Sequence, residues 1–198
     1  MMRTVALTQR VVVDRHGERR DALDQRWASF LSAAGYIGIA LPNQPELAIS
    51  LLQSTAPCGL ILTGGNDLTS LGGDAPERDA TEAAVLKLAR AQRMPVLGVC
   101  RGAEFIVHAD GGTLARASHH AGTRHAVRTP DGSFDVGSFH DWMIGALPPN
   151  YTAWGHAPDG SIEAFRTDRE NIVGVMWHPE RECPFRSEDA RMIKDLFK

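Results

Sequence analysis

The sequence has little of what would mark a specialised protein class. Its three cysteines, Cys58, Cys100 and Cys183, are odd in number and widely spaced, so they cannot build a disulfide framework. No two of them make a CxxC, which removes the basis for dithiol redox chemistry or a zinc ribbon. Long apolar runs are also missing. The most apolar stretch, Ala28 to Pro42, is broken by Ser32, Gly35 and Gly38 and falls short of the ~20 residues that span a bilayer. Neither sign of charge dominates: a formal net charge of -3 and a pI of about 6.2 give no general attraction to nucleic acid or anionic membranes. Met1 to Arg10 lacks a basic-then-apolar secretory pattern, and there is no internal repeat or low-complexity tract. These absences lead us to expect a cytoplasmic protein with free thiols and no nucleic-acid or membrane partner.

What is present is enough for one domain. With 198 residues, 43% of them hydrophobic, the chain can bury a full core, and we expect a single domain over residues 1–198. In the first half, short apolar runs alternate with amphipathic stretches, the pattern of an α/β fold with a parallel sheet. Arg3–Thr8, Tyr36–Leu41, Gly59–Leu62 and Pro95–Val99 read as strands. Arg20–Ala34, Glu46–Leu52 and Arg78–Arg93 read as helices. Beyond Gly111 the texture changes to short strand-like pieces at Arg124–Arg128, Ser133–Val136, Thr152–His156, Ser161–Arg166 and Ile172–Trp177. Ser187–Phe197 reads as a closing helix, with Met192, Ile193, Leu196 and Phe197 on one side.

The most informative junction follows Pro95–Val99. Gly98-Val99-Cys100-Arg101-Gly102 has the form of a nucleophile elbow, in which a sharp strand-to-helix turn holds one side chain out above the sheet. A cysteine there sits at a helix N-terminus, where unpaired amides favour the thiolate, and the Arg101 amide can donate to an oxyanion. On that basis Cys100 should react with iodoacetamide faster than Cys58 or Cys183. Taken alone, the junction also suits a structural cysteine after a core strand. A second element, Gly174-Val175-Met176-Trp177-His178-Pro179-Glu180, ends a hydrophobic strand in a histidine with a carboxylate two residues on. That carboxylate can fix the histidine's tautomer and orientation. Alone it suits a solvated turn, and the coincidence of both elements in one chain is what points to a catalytic constellation.

These residues, together with Leu62-Thr63-Gly64-Gly65-Asn66-Asp67, Arg78-Asp79 with Glu82, Gly111-Gly112-Thr113-Leu114 and Gly137-Ser138-Phe139-His140, give the sequence its family likeness. It resembles the class I glutamine amidotransferase-like superfamily, and within it the γ-glutamyl hydrolase (peptidase C26-like) group. The resemblance implies a single-domain flavodoxin-like fold, with a central, mostly parallel sheet flanked by helices and a strand-rich second half. It implies Cys100 as nucleophile, His178 as general base and acid, Glu180 as its orienter, and the backbone amides of Gly65 and Arg101 as the oxyanion hole. Gly64, Asn66, Glu104, Ser138, Phe139, His140 and Arg10 are the implied substrate-binding residues. No cofactor or metal is implied.

The chain departs from the group in three ways. Glu104 stands where Gln is common, Met176 stands where Gln is frequent, and the region between Gly112 and Phe139 is trimmed. The short form is similar to the γ-glutamyl-CDP-amidate hydrolases of capsular phosphoramidate biosynthesis. That likeness implies a small-molecule γ-glutamyl amide substrate, nucleotide-linked in that case, and a monomer or homodimer with no obligate synthetase partner. Two alternatives stay open: a glutaminase subunit supplying ammonia to a separate synthetase, and a non-catalytic binding protein on the same fold. Arg116, His119, His120, Arg124, His125 and Arg128 form a local cationic stretch that could face a phosphate-bearing leaving group, or be a solvated loop. With no cysteine or carboxylate at matching spacing beside the three histidines, we expect no metal there. Trp142 reads as part of a short helix, in the core or lining the substrate pocket.

Overall fold

The structure is a computed structural model that describes residues 2–167 and 169–198; Met1, where the N-terminal reading above begins, lies outside them. Along the chain the elements are β1 (Arg3–Leu7), β2 (Arg10–Val13), β3 (Arg19–Ala22), α1 (Arg26–Ala34), β4 (Tyr36–Ala40), α2 (Pro45–Thr55), β5 (Leu60–Leu62), α3 (Pro76–Ala91), β6 (Val96–Val99) and α4 (Arg101–Ala109). The second half holds β7 (Thr113–Arg116), β8 (Thr123–Thr129), β9 (Gly132–Ser138), β10 (Trp142–Ala146), β11 (Tyr151–His156), β12 (Ile162–Thr167), β13 (Ile172–Val175) and α5 (Ser187–Leu196).

One mixed sheet runs through the molecule. Strands β4-β1-β5-β6-β13 are parallel neighbours, and from β13 onward the order β12-β11-β8-β9 continues antiparallel, with β10 pairing β12 and β7. The expected α/β fold is thus present. Its parallel part is confined to the half that carries the cysteine and histidine elements. Those strands read as unbroken apolar runs because both faces are covered. Leu60, Leu62 and Val96 pack with Leu52 of α2, Leu86 of α3 and Ile106 of α4. Ile61, Leu97 and Val99 turn to the other face, with Phe30 of α1 and Ile193 of α5.

Three local expectations need correction. Arg20–Ala34 does not form one helix: Arg19–Ala22 pairs antiparallel with Arg10–Val13, from Arg10↔Ala22 to Val13↔Arg19, as a two-stranded ribbon. The helix begins only after Asp24, whose carboxylate accepts from the Arg26 amide at 3.0 Å. Trp142 is not helical either. It lies in β10 opposite Arg116 of β7, whose guanidinium carbon stands 4.3 Å from the ring centre. The third is β7 itself, which the sequence reading passed over because Thr113–Arg116 is too short and too mixed in polarity to show a period.

Helix α5 is tied to the strand end before His178. The indole of Trp177 donates to Asp189 Oδ1 at 3.1 Å, and both residues are buried. Burial pushes the Asp189 carboxyl up to about 6, against the pull of Arg186 and the Trp177 hydrogen bond. A raised carboxyl pKa means that the folded state holds the proton more tightly than the unfolded chain. Stability is therefore lost as pH rises from the ordinary aspartate range through about 6, and stays level above it. Asp189→Asn keeps an acceptor for the indole and removes this loss. We expect the variant to be more stable than wild type above pH 6 by up to about 3 kcal/mol, the equivalent of ~2 pKa units. The gain should vanish near pH 4; urea unfolding at the two pH values checks it.

Candidate active site

The site forms where the C-terminal ends of β5, β6 and β13 meet, the crevice expected of an open parallel sheet. Strand β6 delivers Cys100. The residue has φ 51° and ψ -113°, a conformation that a side chain adopts only when its surroundings enforce it. The surroundings here are close packed. At Gly102 a Cβ would stand 1.9 Å from the Leu62 carbonyl oxygen, so only glycine lets α4 lie against β5 and hold the turn.

Strand β13 delivers the histidine. His178 Nδ1 lies 2.7 Å from Glu180 Oε1, and both residues are buried. With the carboxylate accepting from Nδ1–H, the lone pair is left on Nε2. Gly64 is wedged between this ring and the cysteine. A Cβ on Gly64 would sit 2.5 Å from His178 Cε1, 3.3 Å from Nε2 and 3.5 Å from Cys100 Cβ. Cys100, Gly64 and the His178–Glu180 pair, three elements far apart in sequence, are therefore assembled at one place.

The loop from Thr63 to Gly65 is held from behind. Arg78 of α3, fully buried, donates to the carbonyl oxygens of Thr63 at 2.5 Å and Gly64 at 3.1 Å, and also to that of Gly65. Its Nε reaches Glu82 at 2.9 Å, and Glu82 in turn accepts from Thr8 Oγ1 at 2.8 Å and pairs with Arg101. Arg101 also pairs with Asp79. Three successive carbonyls facing one guanidinium fix the peptide planes of the loop, leaving Gly65 at φ 89° with Arg10 packed against it. The two halves of the Arg78-Asp79-x-x-Glu82 element thus serve the loop and the elbow at once.

The thiol itself differs from the sequence expectation. Burial pushes the Cys100 thiol well above its ordinary range and the Glu104 carboxylate adds to this, outweighing the Arg101 amide, which favours the thiolate. Glu104 is buried and is itself pushed up to about 7 by burial, with His140 and Arg101 acting against it. A shielded thiol at rest reverses the expected order of alkylation. Cys183 is exposed, whereas half-buried Cys58 donates to the Thr4 carbonyl and is pushed up by burial. We therefore expect iodoacetamide to label Cys183 first in the free protein, read by peptide mass spectrometry over time. Labelling of Cys100 ahead of Cys183 would mean that its proton is already transferred at rest.

The remaining predicted residues divide. Arg10 joins Asp24, Gly64, His178, Glu180 and Arg181 around a cavity of about 270 Å³. Phe139 is exposed, its ring centre 5.7 Å from that of His178, and the Arg181 guanidinium covers it at 4.8 Å. Ser138 is buried with its hydroxyl unpartnered among the described residues. Asn66 is occupied elsewhere: its amide exchanges hydrogen bonds with the Val11 main chain at 2.8 and 2.9 Å, tying β2 to the turn. His140 is buried away from the cavity lining, its Nδ1 2.8 Å from the Trp142 carbonyl. The cationic stretch does not form one face. Arg124 pairs with Glu182, Arg116 stacks on Trp142, His119 is exposed, and His120 and His125 turn inward to Glu163. Arg181 was missed by the sequence reading, since nothing local marks the residue after His-Pro-Glu as facing the cavity.

Comparison with known proteins identifies the family and the fold. The sequence matches the Peptidase C26 family over residues 4–180. It is 32% identical to the γ-glutamyl-CDP-amidate hydrolase of Campylobacter jejuni, over 98% of this chain and 96% of that one. It is 26% identical to the γ-glutamyl-γ-aminobutyrate hydrolase of Escherichia coli strain K12, over 92% of this chain and 86% of that one. A glutamine amidotransferase of Thermotoga maritima shares the fold, with a TM-score of 0.72 at 14% identity, covering 98% of this chain and 84% of that one. No helix among the described residues is long and apolar enough to cross a membrane. The match along residues 4–180, with a relative 32% identical over nearly the whole chain, places this protein in the Peptidase C26 family of hydrolases.

Proposed function

We propose that this protein is a cysteine-dependent hydrolase that cleaves a γ-glutamyl amide, releasing glutamate and an amine. The observation that carries the reading is the grouping of Cys100 in its strained elbow with the His178–Glu180 pair across Gly64. His178 Nε2 takes the thiol proton as the sulfur attacks the γ-carbonyl carbon, and Glu180 holds the imidazolium that results. The oxyanion receives the amides of Arg101 and Gly65. The C–N bond then breaks, the amine leaves with the proton from His178, and a γ-glutamyl thioester remains on Cys100. Water, deprotonated by His178, attacks the thioester carbonyl; glutamate leaves and the thiol is restored. Every proton and electron pair in the cycle is accounted for by cysteine, histidine and water.

Within this class we favour a leaving group that bears phosphate, as in a γ-glutamyl-CDP-amidate. Arg10 and Arg181 line the cavity beside His178, Arg181 within ion-pair reach of Asp24 and Glu180, and guanidinium groups there suit a phosphate-linked amine. Similarity to the C. jejuni relative along nearly its full length supports the same substrate. The test is glutamate release from glutamine, γ-glutamyl-γ-aminobutyrate, γ-glutamyl amino acids and γ-glutamyl-CDP-amidate. Release should be fastest from the phosphate-bearing conjugate, with Arg10→Ala and Arg181→Ala raising KM for it selectively. Preference for glutamine would instead indicate a glutaminase that supplies a synthetase.

A further inference from the structure

A second cluster of reactive side chains lies outside this constellation. Glu163 of β12 is 1% exposed, and neither of its carboxylate oxygens has a hydrogen-bond partner among the described residues. Three imidazoles surround its Oε1: His125 Nε2 at 3.3 Å, His120 Nδ1 at 3.5 Å and His140 Nε2 at 3.5 Å. His120 Nδ1 and His140 Nε2 are themselves 3.4 Å apart. An isolated carboxylate buried this deeply is costly unless its charge is answered. Yet none of these separations is a good hydrogen bond.

They match something else. Donors at ~2.0–2.2 Å from a common tetrahedral centre stand roughly 3.3–3.5 Å from one another, and His120, His125 and Glu163 each offer one donor atom within 4.8 Å of the other two. The far side of one ring is arranged to suit: His120 Nε2 is 2.9 Å from Asp159 Oδ2. That acceptor draws the ring proton to the outer nitrogen, which leaves Nδ1 with its lone pair facing Glu163.

We propose that His120, His125 and Glu163 supply the protein ligands of a metal centre for a first-row transition-metal dication of the Zn²⁺ class, with water at the fourth position and His140 packed beside it. Two imidazoles and one carboxylate are donors that suit such an ion and offer no thiolate. The site is built from the segment before β8, β8 itself and β12. It would fasten the antiparallel strands to β12, whose Glu163 carbonyl accepts from the Met176 amide at 2.8 Å, two residues before His178. Its role would therefore be structural, bracing the wall behind the catalytic histidine. The spacing of these residues in sequence does not reveal it, because the carboxylate arrives from a distant strand.

The test uses the full chain stripped with a chelator and titrated with Zn²⁺ or Co²⁺ alone. We expect one equivalent bound per chain, a tetrahedral Co²⁺ absorption spectrum without thiolate-to-metal charge-transfer bands, and a higher unfolding temperature with metal. His125→Ala, at the partly exposed edge of the cluster, and Glu163→Gln should each weaken Zn²⁺ binding by about 100-fold or more. His119→Ala, an exposed neighbour, should leave it unchanged. No stoichiometric binding by wild type, a thiolate-ligated or octahedral spectrum, or equal binding by His125→Ala would each overturn the proposal. The wild-type spectrum decides the matter even if a variant fails to fold.

Discussion

Replacing Cys100 by serine is expected to lower glutamate release by on the order of 10⁴-fold or more, with the unfolding midpoint close to wild type. The expectation follows from how the residue is placed. The elbow imposes φ 51° on Cys100 and the Gly102 contact with Leu62 secures the turn, so a side chain of nearly the same shape meets the same constraints. Only the attacking atom changes, and a hydroxyl is a far poorer nucleophile than a thiol whose proton His178 can take. His178→Asn should cost a comparable factor. In the proposed cycle the two act as one unit, so the double variant should be little worse than either single one. A loss under ~10-fold for Cys100→Ser, read by coupled glutamate detection, would move the chemistry away from this residue.

The second large effect concerns Arg78, which touches no substrate. Arg78→Met should destabilise the protein by about 3–5 kcal/mol, the cost of removing one partner from a buried ion pair. It leaves Glu82 with Arg101 and Thr8 only, and leaves three carbonyl oxygens, those of Thr63, Gly64 and Gly65, without their donor. Freed of the guanidinium, the loop can rotate its peptide planes, and the Gly65 amide no longer has a fixed aim. The rate should fall by a further ~10²–10³ at substrate saturation, as when an oxyanion donor is lost, with a smaller change in KM. Arg78→Lys should rescue little, since a single ammonium cannot span three carbonyls and a carboxylate. Urea unfolding and kcat measured on the same preparations check both halves. A variant as stable and as fast as wild type would show that the loop holds its shape without the arginine.

Much of this arrangement is legible in the sequence where the signal is local. Pro95–Val99 running into a Gly-x-Cys-x-Gly junction marks a strand buried on both faces that ends in a turn, and the structure has β6, Cys100 and α4 there. The ribbon of β2 and β3 escaped notice because Leu23, Trp27, Phe30 and Leu31 carry a helical period that masks the extended Arg19–Ala22 before it. At Asn66 the resemblance implies a substrate contact, whereas Gly-Gly-Asn-Asp is turn chemistry whatever its function, and in the structure the Asn66 amide ties that turn to Val11. The enclosure of a single reactive side chain cannot be read from spacing. A helix N-terminus suggests a thiolate, and it is the three-dimensional enclosure of Cys100 beside Glu104 that pushes the thiol the other way. Glu163 is hidden for the same reason, since its neighbours come from separate segments near residues 120, 125 and 140.

The proposed cycle passes through a γ-glutamyl thioester on Cys100 whatever the substrate, and partitioning with hydroxylamine reports on that intermediate. When hydroxylamine competes with water, γ-glutamyl hydroxamate and glutamate should form in a ratio that is the same for conjugates with different amine leaving groups, because all pass through one acyl-enzyme. A ratio that changes with the leaving group, or turnover that yields no hydroxamate, would contradict the thioester and indicate direct attack by water.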